Sequence, residues 1–158
     1  MMQTNPFNKF PDNARLWLYQ TNRALTTDEQ SLLKGELNHF TKEWAAHGNK
    51  LWGDAAIINP YFVGFVVDES QTPPSGCSID ASVKFLKTLG EKLKIDFFNR
   101  LNIVLWVDDN YKIDSFHSIN KASYSGDELV FDPIISTLKG LKNWPLPLKE
   151  SSFSSLFE

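Results

Sequence analysis

The alternation of apolar and polar positions predicts a strand and then a helix near the start of the chain. Residues 15–20 read RLWLYQ, a short run of aliphatic and aromatic residues typical of a strand. Thr26 and Glu29 have the spacing of a capping box, which predicts that a helix begins there. The apolar face of this helix is expected to run as far as His47, with Gly48 ending it in a left-handed conformation; the face consists of Leu33, Leu37, Phe40, Trp44 and His47.

The next part of the chain predicts a hairpin, a second helix and a further strand. Two apolar runs, 51–58 and 61–67, are separated by Asn59-Pro60, and the second is apolar enough to be buried on both faces. Apolar residues at helical spacing then predict a helix from about Ser78 to Lys94. A strand at 103–107 is expected to stop at Asp108-Asp109-Asn110.

These elements give the order β-α-β-β-α-β, which predicts an α+β fold of the ferredoxin-like type. In that fold an antiparallel sheet carries both helices on one face. We expect a flexible segment at 1–14 and a single domain at 15–158. The domain would consist of a core at 15–110 and a C-terminal extension at 111–158.

The C-terminal extension has a weaker pattern. Ile113, Phe116 and Ile119 allow a short helix, and 129–135 reads as a strand that Pro133 would confine to a sheet edge. Thr137 is placed to cap a last helical turn that continues to Trp144.

The first strand predicts an aromatic surface on the sheet. Trp17 and Tyr19 alternate with Leu16 and Leu18, and we expect the aromatic side to be the face without helices. Such a face needs a cover. The C-terminal extension is one candidate cover, and a symmetric homodimer through the same residues is the other; these residues are Trp144, Leu146, Leu148, Phe153, Leu156 and Phe157.

Composition narrows the classes of protein. A chain of 158 residues, with 42% apolar and 22% charged residues, suits one domain. The net charge of -3 and the scattered lysines and arginines argue against nucleic acid as a partner. No apolar run is long enough to predict a signal peptide or a membrane span. With one cysteine and no metal-ligand spacing, we expect a cytoplasmic protein with a reduced thiol, no metal and no cofactor.

The expected topology gathers three distant segments at one end of the domain: His47, residues 77–80 and Asp108. Cys77 would stand at the start of the second helix, where free amide groups and the helix dipole favour a thiolate or a bound anion. The first functional hypothesis is therefore a non-catalytic binding or interaction module for a small anionic ligand or a protein partner. Its ligand-binding residues would be Ser75, Gly76, Cys77, Ser78 and Asp108.

The second hypothesis is a cysteine-dependent enzyme or thiol sensor. Cys77 would be the nucleophile, His47 the base, and Asp80 or Asp108 the carboxylate that orients the base. Each residue also has a purely structural interpretation. Cys77 would be a small buried residue, Ser78 and Asp80 would cap the helix, His47 would bind a free carbonyl, Asp108 would form a turn, and Arg23 would be solvated.

Five segments resemble the landmarks of a family of small uncharacterised bacterial proteins that is often labelled an ABC transporter ATPase. They are RLWLYQTNR at 15–23, WAAHG at 44–48, VDE at 67–69, SGCSIDASVKF at 75–85 and IDFFNRL at 95–101. The resemblance implies no activity. The label does not fit, because ATPases of that class need a G-x-x-x-x-G-K-[ST] loop around the phosphates and the chain has none. We therefore do not expect ATP hydrolysis.

Overall fold

The first half of the chain forms a three-stranded sheet and two long helices. The computed structural model describes residues 5–46, 49–70, 73–74 and 76–158. In chain order, the elements of this half are β1 (Arg15–Gln20), α1 (Thr27–Glu43), β2 (Ala45–Ala46), β3 (Asn49–Lys50), β4 (Gly53–Asn59), β5 (Phe62–Val67) and α2 (Gly76–Leu93). β5 lies between β1 and β4 and is antiparallel to both, while β2 and β3 form a separate short pair. The predicted hairpin and both long helices are confirmed.

The second half forms another antiparallel sheet. Its elements are β6 (Asn102–Val107), β7 (Asn110–Ser115), β8 (Leu129–Val130), α3 (Leu138–Lys142) and β9 (Leu146–Pro147), and the strand order is β7-β6-β8-β9. Thr137 caps α3 as predicted. The short helix expected around Ile113 is wrong, because β7 occupies that segment and only 116–118 is helical. The strand expected at 129–135 is reduced to β8, which pairs on both sides and is not an edge.

The α+β class is confirmed, but the ferredoxin-like order is not. That order requires β6 beside β1, whereas β6 pairs with β7 and β8 in the second sheet. Asp108 and Asp109, both at positive φ, form the two-residue turn that folds β7 back onto β6. The free edge of β1 instead meets the C-terminal extension, where the N–H of Leu16 donates to the carbonyl of Ser136 over 2.9 Å.

α1 begins as predicted and ends earlier than predicted. Thr26 Oγ1 accepts from the N–H of Glu29 (3.1 Å), and Glu29 Oε1 accepts from the N–H of Thr26 (2.9 Å), which completes the capping box. The helix ends at Glu43 rather than near His47, because Trp44 is extended and leads into β2. Gly48, the expected end of the helix, lies outside the described residues.

Within the described part of the chain, three apolar cores lie between the layers of the molecule. The first lies between the helices and the first sheet and includes Leu33, Leu37, Phe65 and Leu86. The second lies between the two sheets and includes Phe62, Val66, Val104, Phe131 and Leu138. The third packs the C-terminal segment onto the second sheet and includes Leu105, Leu148 and Phe153. All six residues of β5 are buried, which confirms that this strand is covered on both faces.

The face of β1 that carries the aromatic residues is opposite to the expected one. Trp17 and Tyr19 pack into the core on the helix side, and Leu16 and Leu18 pack between the sheets. The pairing with β5 sets this arrangement, since Trp17 lies opposite Phe65, which points toward the helices. The helix-free face is covered by the chain itself, with the Trp144 and Phe62 rings 4.8 Å apart.

The N-terminal segment is packed where the structure describes it. Phe7 and Ala14 are buried in the core between the sheets, and Lys142 of α3 forms an ion pair with Asp12. Residues 5–14 therefore do not form the flexible segment that the sequence predicts.

Two glycines within helices provide a matched test of packing. Gly90 in α2 faces the backbone of the returning chain, so a methyl group there would collide with the carbonyl oxygen of Ile95. Gly35 in α1 has nothing within 4 Å of the corresponding position. We expect Gly90→Ala to lower the free energy of unfolding by about 1–3 kcal/mol. Gly35→Ala should raise it by about 0.5–1 kcal/mol. Urea unfolding measures both, and a stabilising Gly90→Ala would contradict the close packing.

The ion pair at the start of α1 predicts a pH dependence. Arg23 donates two hydrogen bonds of 2.8 Å to Glu29, and these bonds, with that from the N–H of Thr26, lower the pKa of Glu29 from 4.5 to about 2. Because this pKa lies below that of the unfolded chain, the stabilisation is complete above pH 4.5 and is lost as the pH falls toward 2. Glu29→Gln keeps a side chain suited to the capping box and should cost about 1 kcal/mol at neutral pH.

The measurement is the free energy of unfolding of wild type and Glu29→Gln at neutral pH and at about pH 3. The difference between the two proteins should shrink at the lower pH. Glu69→Gln is the control, because Glu69 pairs with Arg15 through side chains that are 46% and 48% exposed, and it should cost about 0.5 kcal/mol or less. A Glu29→Gln difference that stays constant with pH would refute the assignment.

Candidate functional site

The start of α2 is the site that the sequence predicts, and the structure places part of it as expected. Trp44, which follows α1, donates from its indole N–H to the carbonyl of Ser78 in the first turn of α2 (2.8 Å), and this hydrogen bond is buried. The end of α1 and the start of α2 therefore meet. His47 and Ser75 lie outside the described residues, so the structure gives no geometry for the proposed base or for the first residue of the anion-binding loop.

The structural interpretations of this segment need correction. Cys77 is exposed, which contradicts a buried small residue. α2 begins at Gly76, two residues before the expected start, so Ser78 is a buried residue within the helix and does not stand at the N-cap position. Asp80 is the fifth helical residue and is exposed, beyond the first turn in which a carboxylate would complement the dipole.

Asp108 does not join this segment. It lies in the turn between β6 and β7. Tyr111, the second residue of β7, has its ring centroid 5.6 Å from that of Tyr61 in the β4–β5 turn. The carbonyl of Tyr61 accepts from the N–H of Thr21, directly after β1 ends. Cys77 follows the far end of β5, which pairs with the first residue of β1. The strand that follows Asp108 therefore contacts the end of the first sheet opposite to the end that leads to Cys77, and the positive φ of Asp108 fits its place in the turn.

The prediction that Arg23 is a solvated side chain is also wrong, because its guanidinium donates two hydrogen bonds to Glu29. Its guanidinium additionally donates to the carbonyl of Leu93 at the end of α2 (3.3 Å). This contact links the start of α1 to the end of α2, so Arg23 has a structural role.

A cavity of about 490 Å³ lies at the end of β1 that is remote from Cys77. Its walls come from the last three residues of β1, from residues 97–100 and 102–103, from residues 133–134, and from Phe116 and Phe153. Apart from 97–100 and 102–103, which are separated only by Leu101, these segments are distant from one another in the chain. Cavities of this size are typical of small-molecule sites.

The cavity has an apolar floor and an apolar rim. Phe97, Ile103 and Phe153 are buried at 1%, 4% and 8% exposure, respectively. Phe116 is 41% exposed and Ile134 is 73% exposed. Large apolar side chains left in water around a concave surface are typical of a binding site.

A small amide cluster forms the polar part of the wall. Gln20 Nε2 donates to the carbonyl of Asn102 (2.8 Å), and the N–H of Asn102 donates to Asn99 Oδ1 (3.1 Å). The side-chain amide nitrogen of Asn99 has no hydrogen-bond partner within the described part of the chain. The cluster therefore leaves an N–H donor available, while the Asn99 oxygen is occupied.

Arg100 supplies the charge of the cavity. It is exposed and has no carboxylate partner among the residues that the structure describes. Of the described residues that line the cavity, Arg100 alone is charged. Tyr19, another lining residue, hydrogen-bonds to Ser82 Oγ (3.2 Å), and burial raises the pKa of its hydroxyl, which therefore stays neutral.

A buried carboxylate fixes the segment that carries Ile134. Asp132 Oδ1 accepts from the N–H of Ile134 (3.1 Å) and from Ser152 Oγ (2.8 Å), and Oδ2 accepts from the N–H of Ser152 (2.7 Å). These bonds satisfy a carboxylate that is 6% exposed and tie one wall of the cavity to the C-terminal segment. This wall is therefore preorganised.

A second groove, of about 560 Å³, runs between α1 and β4. The side-chain nitrogen of Asn59 is buried there and unpaired among the described residues. This groove carries both Lys34 and Asp54 and is lined largely by polar residues of α1. Leu37, Ala55 and Ile58 give it a buried apolar floor, but it lacks the exposed apolar rim and the single charge of the first cavity, so the first cavity is the better-defined candidate.

The sequence reasoning missed the cavity. The available signal was the segment FFNRL at 97–101, in which an arginine interrupts an apolar run, and Leu101 is 68% exposed in the structure. A loop that leaves a leucine and an arginine in water indicates a surface that contacts something. Its partners in the wall, such as Ile134 and Phe153, cannot be identified without the fold.

Comparisons with known proteins returned no match: no protein family, no curated protein and no solved structure is similar to this chain. None of the helices in the described part of the chain has the length and apolar character needed to span a membrane. Within the same residues, no cluster of three or more histidine, cysteine, aspartate or glutamate side chains is suited to a metal ion. Function is therefore inferred from the geometry of the sites themselves.

The exposure of Cys77 predicts complete labelling of the folded protein. An aromatic disulfide reagent should modify one thiol per chain without denaturant, because Cys77 is the only cysteine and is exposed. Absorbance of the released thiol measures the reaction, and Cys77→Ser should release none. Labelling that requires urea would contradict the exposed position.

Proposed function

We propose that this protein is a non-catalytic binding module for a small amphipathic organic molecule, which it holds in the cavity at the end of β1. The observation that carries this proposal is the exposed apolar rim, with Phe116 at 41% and Ile134 at 73% exposure, above a buried apolar floor. Burying apolar surface is the main source of affinity in such sites. A ligand with an apolar body would cover side chains that are otherwise left in water.

Binding is favoured over catalysis because of the chemistry of the lining. Among the described residues around the cavity there is no carboxylate, imidazole or thiol that would act as a base or nucleophile. The amides of Gln20, Asn99 and Asn102, together with Arg100, are hydrogen-bonding groups that orient a ligand. The site therefore contains groups for recognition, and its one hydroxyl among the described residues, that of Tyr19, is hydrogen-bonded to Ser82.

A second candidate function rests on Cys77. Its exposure at the first turn of α2 favours a thiol sensor or a cysteine-dependent activity, with His47 as the proposed base. The anion-binding role of 75–78 belongs to the same end of the molecule and is a separate proposal from the cavity. Cys77→Ser should leave binding in the cavity unchanged, because the two sites are at opposite ends of β1. The family resemblance and the absence of ATP hydrolysis both stay predictions.

The cavity is tested with the neutral fluorescent probe N-phenyl-1-naphthylamine, whose emission rises in apolar surroundings. Ile134→Glu places a carboxylate at the rim and should weaken probe binding about tenfold. Leu32→Glu makes the same change at an exposed apolar position of α1, outside the cavity, and should have no effect. Both positions are exposed at 73% and 48%, so both variants should fold. Equal binding by wild type and Ile134→Glu, or no binding by wild type, would refute the proposal.

A further inference from the structure

We infer that the ligand of this cavity carries a carboxylate that Arg100 binds. This inference rests on the proposed binding function and specifies the class of ligand: an organic acid with an apolar body. Three features of the molecule support it: the pairing of the arginines, the charge of the lining and the unused donor of the amide cluster.

Arg100 differs from the other two arginines whose contacts are known. Arg15 pairs with Glu69 over 3.3 Å, and Arg23 pairs with Glu29 over 2.8 Å. Arg100 has no such partner within the described residues, although it lines a concave apolar surface. A guanidinium presents several N–H groups in a plane that matches the two oxygens of a carboxylate. Arg100 is therefore free to accept a carboxylate from outside the chain.

The surroundings of Arg100 favour an anion over a neutral or cationic ligand. No acidic residue lines the cavity in the described part of the chain. The nearest carboxylate in sequence, Asp96, does not line the cavity and accepts a hydrogen bond from the N–H of Phe98 (2.8 Å). The amide nitrogen of Asn99 adds an N–H donor to the same wall. The cavity thus offers unused donors and a positive charge, which together suit carboxylate oxygens.

The apolar walls determine the rest of the ligand. Phe98, Phe116 and Ile134 lie around the same cavity as Arg100, so a carboxylate bound there would leave its substituent against aromatic and aliphatic side chains. A small alkyl or aryl carboxylic acid satisfies both requirements.

The experiment compares octanoate with its neutral counterpart 1-octanol by isothermal titration calorimetry on the full chain. Octanoate should bind wild type about tenfold more tightly than 1-octanol. Arg100→Gln should abolish this preference and leave the affinity for 1-octanol unchanged, while Arg100→Lys should keep part of it. Arg15→Gln removes the same charge at the opposite end of β1 and should leave the preference intact.

The outcomes separate this inference from the proposed function. Equal affinities for octanoate and 1-octanol in wild type would refute the inference that the ligand carries a carboxylate. The cavity would then be a site for neutral apolar molecules. Binding of neither compound would overturn both. A preference for octanoate that persists in Arg100→Gln would place the anion site elsewhere and refute the role of Arg100. Circular dichroism of each variant checks that the comparison is made between folded proteins.

Discussion

The burial of β5 on both faces is the constraint on which the rest of the structure depends. Its side chains alternate between the core under the helices, which receives Phe65, and the core between the sheets, which receives Phe62 and Val66. A strand of this kind needs a cover on each side. The two helices cover one face only, so the chain must supply a second layer. Gly64 allows close packing there, since a Cβ at its position would collide with Ile58.

The second layer explains both the departure from a single sheet and the position of the cavity. β6 packs against the helix-free face while its two edges pair with β7 and β8, which removes it from β1. The chain crosses from the helical layer to the second sheet through 95–101. At that crossing the N–H of Asn99 donates to the carbonyl of Gln20 at the end of β1, and Leu101 is exposed. The cavity occupies the gap at this crossing.

Patterns of residues close together in sequence predicted most helices and strands correctly. The wrong predictions concern features that depend on how distant strands pair. The capping box of Thr26 and Glu29 and the double burial of β5 depend on residues close in sequence, and both were predicted. The direction of Trp17 depends on its register with Phe65, about fifty residues away, and it was predicted on the wrong face. β7 was read as helical because Ile113 and Phe116 are three residues apart, although its pairing with β6 imposes the strand. One long-range prediction was correct, since the end of α1 and the start of α2 do meet. Asp108 was expected beside them and lies elsewhere, and the cavity was not predicted.

The net charge of the whole chain and the charge of the cavity have opposite signs, and the charge of the cavity would govern the proposed binding. A net charge of -3 would by itself disfavour an organic acid. At physiological ionic strength, however, charges are screened over about 8 Å, so a ligand at the rim responds mainly to the groups around it. There Arg100 is the charged residue of the described lining, and the remaining walls are apolar or amide. The proposed selectivity for an acid therefore depends on two local features, the guanidinium of Arg100 and the apolar walls that would contact the body of the ligand.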